Sequence, residues 1–141
     1  MTYELVYPMA AMVVLTFGVM FAMFRARVRA VRAGEADAGY FKTYQEGREP
    51  RHTAQLSRQV TNLFETPVLF YVACVTAMVT ELSGLVMVVL AWLYVGLRIA
   101  HAWVHTGSNR LGPRVRIYGA SWLVLLAMWT ILVLGVAGIV N

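Results

Sequence analysis

The stretch Ser57–Tyr71, SRQVTNLFETPVLFY, begins a segment that stays apolar as far as Thr80 but carries three strongly polar side chains near its start. Arg58, Asn62 and Glu65 follow at i, i+4 and i+7, which places them on one face of an α-helix. A carboxylate on a lipid-facing surface is costly, so we predict that this face looks into protein. Ionisable residues inside a membrane indicate a functional site; a polar network that only ties helices together is the alternative.

The rest of the chain has the composition of a small integral membrane protein. Of its 141 residues, 60% are hydrophobic and 13% are charged, whereas about a quarter are charged in an average soluble domain. Leu5–Phe24 and Ile117–Val140 carry no charge, and each reaches the roughly 20 residues that a membrane helix needs. Thr66–Thr80 and Leu82–Leu97 reach that length only with the polar turns beside them. We predict an all-α fold with a single domain over residues 1–141, a bundle of four transmembrane helices at roughly 5–33, 57–80, 83–106 and 113–140.

The basic side chains are segregated along the sequence. Eight of the 12 lie between the first and second spans, and the other four flank the gap between the third and fourth. Because basic loops stay in the cytoplasm, we predict a multi-pass protein with both termini outside it. The net charge of +5 is then explained by topology and contact with anionic membrane lipid, and we expect no nucleic-acid partner. The single cysteine, Cys74, lies within a span and is expected to be a buried apolar residue.

A second polar face occurs on the third predicted helix. Arg98, His101 and His105 follow at i, i+3 and i+7, again on one side. The short connection Glu81–Gly84 makes the second and third helices antiparallel neighbours, so their polar ends meet at the cytoplasmic side. Because two separate helices each carry a polar face at this end, we predict that the two faces share a polar cavity.

The fourth helix begins with a basic segment. Arg110, Arg114 and Tyr118 lie at or near its N-terminus, where unpaired N–H groups and the helix dipole already favour negative charge. Arginines there are explained if an anion binds between them. The alternative is the general excess of cytoplasmic arginine, which has more weight for Arg116 than for Arg114.

A metal site is the alternative to this anion site. His101, His105 and Glu65 form a two-histidine, one-carboxylate set of the kind that binds iron or zinc. The neighbouring arginines oppose a divalent cation, so we predict no metal. The residues instead predict a cavity for a small polar anion, with apolar walls that admit a lipophilic second molecule from the bilayer.

Two motifs resemble one known family. RQVTNLFETP (Arg58–Pro67) resembles the pattern R-x-H-x-N-x-x-E-x-x-x-P of the MAPEG proteins, the membrane-associated proteins in eicosanoid and glutathione metabolism. RIAHAWVHTGSNRLGPRVRIY (Arg98–Tyr118) resembles the family's segment R-x-x-H-x-x-x-Y-x-G with arginines and a tyrosine following. Four positions depart from these patterns: Val60 replaces a histidine, His105 replaces a tyrosine, Val115 stands where some members have a serine, and Pro67 comes one or two residues early.

The resemblance implies a bacterial-type member in the inner membrane, assembled as a homotrimer that binds glutathione as a co-substrate between subunits. It implies that Arg114 is the catalytic residue beside the thiol, and that Asn62 and Glu65 hold the amino and peptide groups. The remaining residues of the expected glutathione-binding set are Arg58, Arg98, His101, His105, Arg110 and Tyr118.

Three functions remain open at this point. The first is a glutathione transferase, with possible peroxidase activity, acting on lipophilic electrophiles or hydroperoxides. The second is a non-catalytic MAPEG-like protein that binds a thiol or a lipid, which the departures at Val60, His105 and Val115 favour. The third is a redox protein with a metal or haem held by His101 and His105.

Overall fold

The computed structural model describes residues 3–43 and 49–139 of the chain. A short 3-10 turn, Tyr3–Leu5, leads into six helices: α1 (Val6–Arg32), α2 (Tyr40–Thr43), α3 (Arg51–Phe64), α4 (Thr66–Val79), α5 (Leu85–Thr106) and α6 (Leu111–Val136). No strand occurs in the described ranges. The prediction of an all-α bundle is confirmed.

Within residues 3–43 and 49–139, four segments are long and apolar enough to cross a membrane: Tyr3–Arg32, Arg51–Val79, Leu85–Thr106 and Leu111–Val136. The second of these combines α3 and α4, which follow one another with a single residue between them. The fourth helix ends at Val136, before the predicted limit of 140, and position 140 lies outside the described residues.

Glycines in the left-handed region end the first and last of these helices. Gly34 (φ 71°) follows α1, and the Glu35 amide donates to the Ala30 carbonyl over 2.9 Å. Gly138 (φ 70°) lies at the equivalent position after the end of α6. Only glycine adopts this conformation without steric cost, so both helix ends are written into the local sequence.

The predicted second helix is broken, which corrects the expectation of one continuous helix over 57–80. The helix already starts at Arg51, and it is interrupted at Glu65, whose backbone (φ −91°, ψ −95°) leaves the helical region. Pro67 explains the break, since it has no N–H for the Leu63 carbonyl and its ring would clash with that carbonyl. Glu65 therefore lies at a junction between two helices.

The core lies where α1, α4, α5 and α6 meet. Phe70 of α4 and Tyr94 of α5 stack with ring centroids 4.6 Å apart and planes 12° apart. Met12, Met87 and Met128 fill the space around them and are completely or almost completely buried. Cys74 is also fully buried, as expected from its position within a span.

Candidate functional site

The polar residues of α5 are completely enclosed within the chain. Arg98 has no exposed surface, and His101 and His105 are each 2% exposed. Their spacing places them on the side of α5 that packs against α3 and α6. Three polar side chains of one helix face thus line the interior, as the sequence predicts.

Contacts between α5 and the α3–α4 segment run in antiparallel order. Tyr94 donates from its hydroxyl to Thr66 Oγ1 over 3.3 Å, and Arg98 donates from Nη2 to the Asn62 carbonyl over 2.7 Å. Further along α5, His105 Nδ1 lies 2.6 Å from Gln59 Oε1. Residue numbers rise on α5 while they fall on the facing segment, so the polar ends of the two helices do meet.

Tyr118 of α6 closes the third side of this cluster. Its ring lies 5.2 Å from Cζ of Arg98, a distance at which a guanidinium is attracted to an aromatic face. It lies 5.0 Å from the ring of His101, and His101 lies 5.5 Å from the ring of His105. Arg98, His101, His105 and Tyr118, here named the polar cluster, are therefore one contiguous group drawn from two helices.

The polar cluster leaves strong donors without acceptors. Nε and Nη1 of Arg98 are buried and have no hydrogen-bond partner among the described residues. Neither ring nitrogen of His101 makes a hydrogen bond of normal geometry there, although the backbone of Arg114 lies close to the ring. Buried polar groups are almost always paired, so these atoms indicate a ligand or water at this place.

The start of α6 carries two further cations, of which Arg114 lies close enough to act on His101 and His105. Arg114 is half-buried and donates from Nη1 to Asn109 Oδ1 over 2.8 Å, which ties it to the turn between α5 and α6. Arg110 is the exposed N-cap residue of α6, and no side chain caps this helix end. Positive side chains and free N–H groups at one helix start together favour an anion.

Arg58 and Glu65 are not part of the polar cluster within one chain, although the charge of Arg58 acts on His105. Both are exposed on the outer side of the α3–α4 segment, so the expectation that this face is covered is not met by the single chain. The buried side of α3 is formed by Thr53, Leu56, Gln59 and Leu63. Asn62 is half-buried, and it is its backbone carbonyl that contacts Arg98.

Two glutamines are the polar residues that sequence reasoning missed. Gln59 is fully buried against His105, and Gln55 donates from Nε2 to the backbone oxygen of His105. They stand four residues apart in the sequence, which places them on one face of α3. That spacing is the signal that could have found them.

The predicted metal-ligand set of His101, His105 and Glu65 is not brought together within the described part of one chain. Glu65 lies on the outer face, away from the two histidines, and no group of three His, Cys, Asp or Glu in the described ranges is arranged to hold a metal ion. His105 is instead engaged by Gln59.

An apolar slot of about 260 Å³ opens on the outer side of α4 and α6. Six residues line it: Thr66, Leu69, Trp122, Leu125, Leu126 and Trp129. The ring of Trp122 lies 5.7 Å from that of Tyr118. A ring-to-ring contact therefore joins the slot to the polar cluster.

Comparison with known proteins adds one match. The sequence model of the MAPEG family matches residues 5–134. No curated protein and no solved structure matches the chain.

Proposed function

Since the chain belongs to the MAPEG family of integral membrane proteins of glutathione and eicosanoid metabolism, we propose that it is a membrane-bound glutathione-dependent transferase with peroxidase activity. The observation that carries this proposal is Arg98, a fully buried guanidinium with two unpartnered nitrogens and no carboxylate partner among the described residues. A buried charge without a partner is costly. An anionic ligand such as a glutathione carboxylate would satisfy it.

The reaction proposed here needs a thiolate. A cysteine-type thiol has a pKa near 8.5, and only the deprotonated form is the nucleophile. Arg114 is the residue we propose beside the sulfur, because it is tethered to Asn109 and half-buried at the start of α6. A fixed guanidinium there favours the thiolate, and each unit by which the thiol pKa falls corresponds to about 1.4 kcal/mol.

The second substrate is proposed to come from the bilayer. The apolar slot beside Trp122 and Trp129 faces outward from α4 and α6 and has almost no polar surface. Its contact with the polar cluster through Tyr118 would bring a lipophilic electrophile or hydroperoxide close to the thiolate. In the transferase reaction the sulfur would attack the electrophilic carbon, and a C–S bond would form as the bond to the leaving group breaks. In the peroxidase reaction it would attack the peroxide oxygen, so that the O–O bond breaks and the alkoxide leaves as an alcohol after taking up a proton. A second glutathione would then reduce the resulting sulfenic acid, which gives the disulfide and water.

We also propose a homotrimer, in which α3 and α4 of three copies face one another. Val68, Val72, Val75 and Val79 are exposed on α4 at spacings of four, three and four, the pattern of a helix seam. Glu65 lies three residues before Val68 and extends this stripe toward the cytoplasmic end. Contact with another copy would cover a carboxylate that lipid would not tolerate.

The topology is part of the same proposal. Arg25, Arg29 and Arg32 at the end of α1 and Arg114 at the start of α6 would lie at the cytoplasmic surface, with both termini outside, in a bacterial inner membrane. The glutathione site would then face the compartment that contains thiol.

The test is calorimetric titration of detergent-purified protein with glutathione. Arg114→Ala should weaken binding by roughly 10–100-fold, the loss expected for a charge-assisted hydrogen bond. Arg116→Ala is the matched control, because Arg116 is exposed two residues further on and should bind as the wild type does. Absence of saturable binding at millimolar glutathione would contradict the proposal.

The non-catalytic alternative is kept because of Val60 and Val115, two apolar residues where the family patterns have polar ones. The two functions differ in a single measurement. Turnover of a lipophilic electrophile or hydroperoxide, dependent on glutathione and lost in Arg114→Ala, supports the enzyme. Binding without turnover supports the alternative.

A further inference from the structure

Two amides of α3 hold one histidine of the polar cluster. Gln59 Oε1 lies 2.6 Å from His105 Nδ1, and both side chains are buried, with 0% and 2% of their surface exposed. One turn earlier, Gln55 donates from its side chain to the backbone oxygen of His105. The ring and the backbone of His105 are therefore both fixed by the same helix.

The contact with Gln59 decides which ring nitrogen carries the hydrogen. A carbonyl oxygen is only an acceptor, so Nδ1 must donate to it. His105 is buried and has no carboxylate partner among the described residues, which favours the neutral ring. A neutral imidazole has a single N–H, so Nε2 is left with its lone pair.

The lone pair on Nε2 of His105 is an acceptor at a site where the neighbouring side chains are mainly hydrogen-bond donors. Nε2 has no hydrogen-bond partner in the part of the chain that the structure describes, and it is not among the completely shielded polar atoms there. The guanidinium groups of Arg98 and Arg114 only donate. A ligand held by them must find acceptors for its own N–H groups elsewhere.

We infer that Gln59 is a positioning residue that makes His105 a hydrogen-bond acceptor for a peptide-like thiol, which offers it an N–H donor. This inference rests on the proposed function for the identity of the ligand, but not for the state of the ring. It makes the Gln59–His105 pair a determinant of specificity: a thiol without a donor at this place would bind less well.

The state of the ring is measured first, by ¹⁵N NMR of protein labelled at histidine. The chain has three histidines, so the His105 signal is identified by its loss in His105→Gln. The wild type should show a neutral His105 with hydrogen on Nδ1, and Gln59→Leu should shift it toward hydrogen on Nε2. Gln55→Leu, which spares the ring contact, should retain the wild-type form, whereas Gln59→Glu, whose carboxylate favours the charged ring, should show hydrogen on both nitrogens. Hydrogen on Nε2 in the wild type, or no change in Gln59→Leu, would overturn the inference.

Glutathione titration of the same proteins then tests the acceptor role. Gln59→Leu should bind about tenfold more weakly, the loss expected for one hydrogen bond, and Gln59→Glu should not restore binding, because its charged ring has no acceptor nitrogen. Equal affinity for wild type and Gln59→Leu, with the ring state changed, would overturn the acceptor role. A wild type with the expected ring state that fails to bind glutathione would instead refute the proposed function.

Discussion

The two faces of α3 have opposite relations to the rest of the chain. The inner face carries Leu56, Gln59 and Leu63 and is buried against α1 and α5. The outer face carries Arg58 and leads to Glu65, and both are exposed although they belong to a segment long and apolar enough to span a membrane. This difference in burial indicates that the inner face stabilises the fold of one chain, whereas the outer face is suited to contacts between chains.

The largest effect is expected on the inner face. Leu63 is 2% exposed, so Leu63→Ala should lower the free energy of unfolding by about 2–5 kcal/mol through lost contacts and an unfilled cavity. Phe64→Ala is the matched control, because the neighbouring Phe64 is 59% exposed and faces outward. Denaturant unfolding in detergent measures both. Equal losses would contradict the distinction between the two faces.

On the outer face, Glu65→Gln should weaken glutathione binding by roughly 10–100-fold, since a charge-assisted contact with the ligand amine becomes a neutral one. The trimer should remain, because the amide still forms hydrogen bonds. Calorimetry measures glutathione binding, and native mass spectrometry measures the trimer. Glu81→Gln, an exposed carboxylate in the turn before α5, is the control. Loss of the oligomer with binding unchanged would refute this role for Glu65.

The valine stripe of α4 is the part of the outer surface that we propose as the contact between copies. Val72→Trp should reduce the trimer population severalfold, because a bulky ring prevents close helix approach. Val89→Trp on α5 is the control, because Val89 lies outside the stripe. Its side chain is 56% exposed, compared with 45% for Val72. Mass distributions in mild detergent give the readout. Identical distributions for the two variants would argue against the stripe as the interface.

The smallest effect is expected at the helix junction. Pro67→Ala restores an N–H and removes the ring clash, so α3 and α4 should join and Glu65 should rotate away from its present direction. We expect a change in unfolding free energy within about 1 kcal/mol, but binding of glutathione reduced a few-fold. Pro113→Ala, at the exposed start of α6, should leave binding unchanged. Unaltered affinity in Pro67→Ala would show that the break does not position Glu65.

Much of the fold follows from local sequence. The long apolar runs of α1 and α6 and the glycines at positions 34 and 138 specify those helices and their ends without reference to other parts of the chain. The break at Glu65 was missed because apolar periodicity continues across it. The cause, a proline two residues later, acts through the carbonyl of Leu63.

The candidate site was predicted unevenly. Arg98, His101, His105 and Tyr118 come together because side chains at helical spacing on neighbouring helices must meet when those helices pack. The outward direction of Arg58 and Glu65 did not follow, because helical spacing shows that residues share a face and does not show what covers it. Gln59 was missed because an amide acquires its role only from the partner opposite it.

The all-helical membrane architecture and the family follow from the amino-acid sequence alone. So does the helical spacing that puts Arg58 and Glu65 on one side and Arg98, His101 and His105 on another. These features depend on residue order and on the cost of charge in lipid, which are local properties. Three features are visible only in the folded chain: Gln59 holds His105, Arg98 has nitrogens without a partner among the described residues, and Glu65 lies outside the chain's own core. Those outcomes depend on how one helix is rotated against another, which packing of the whole chain sets.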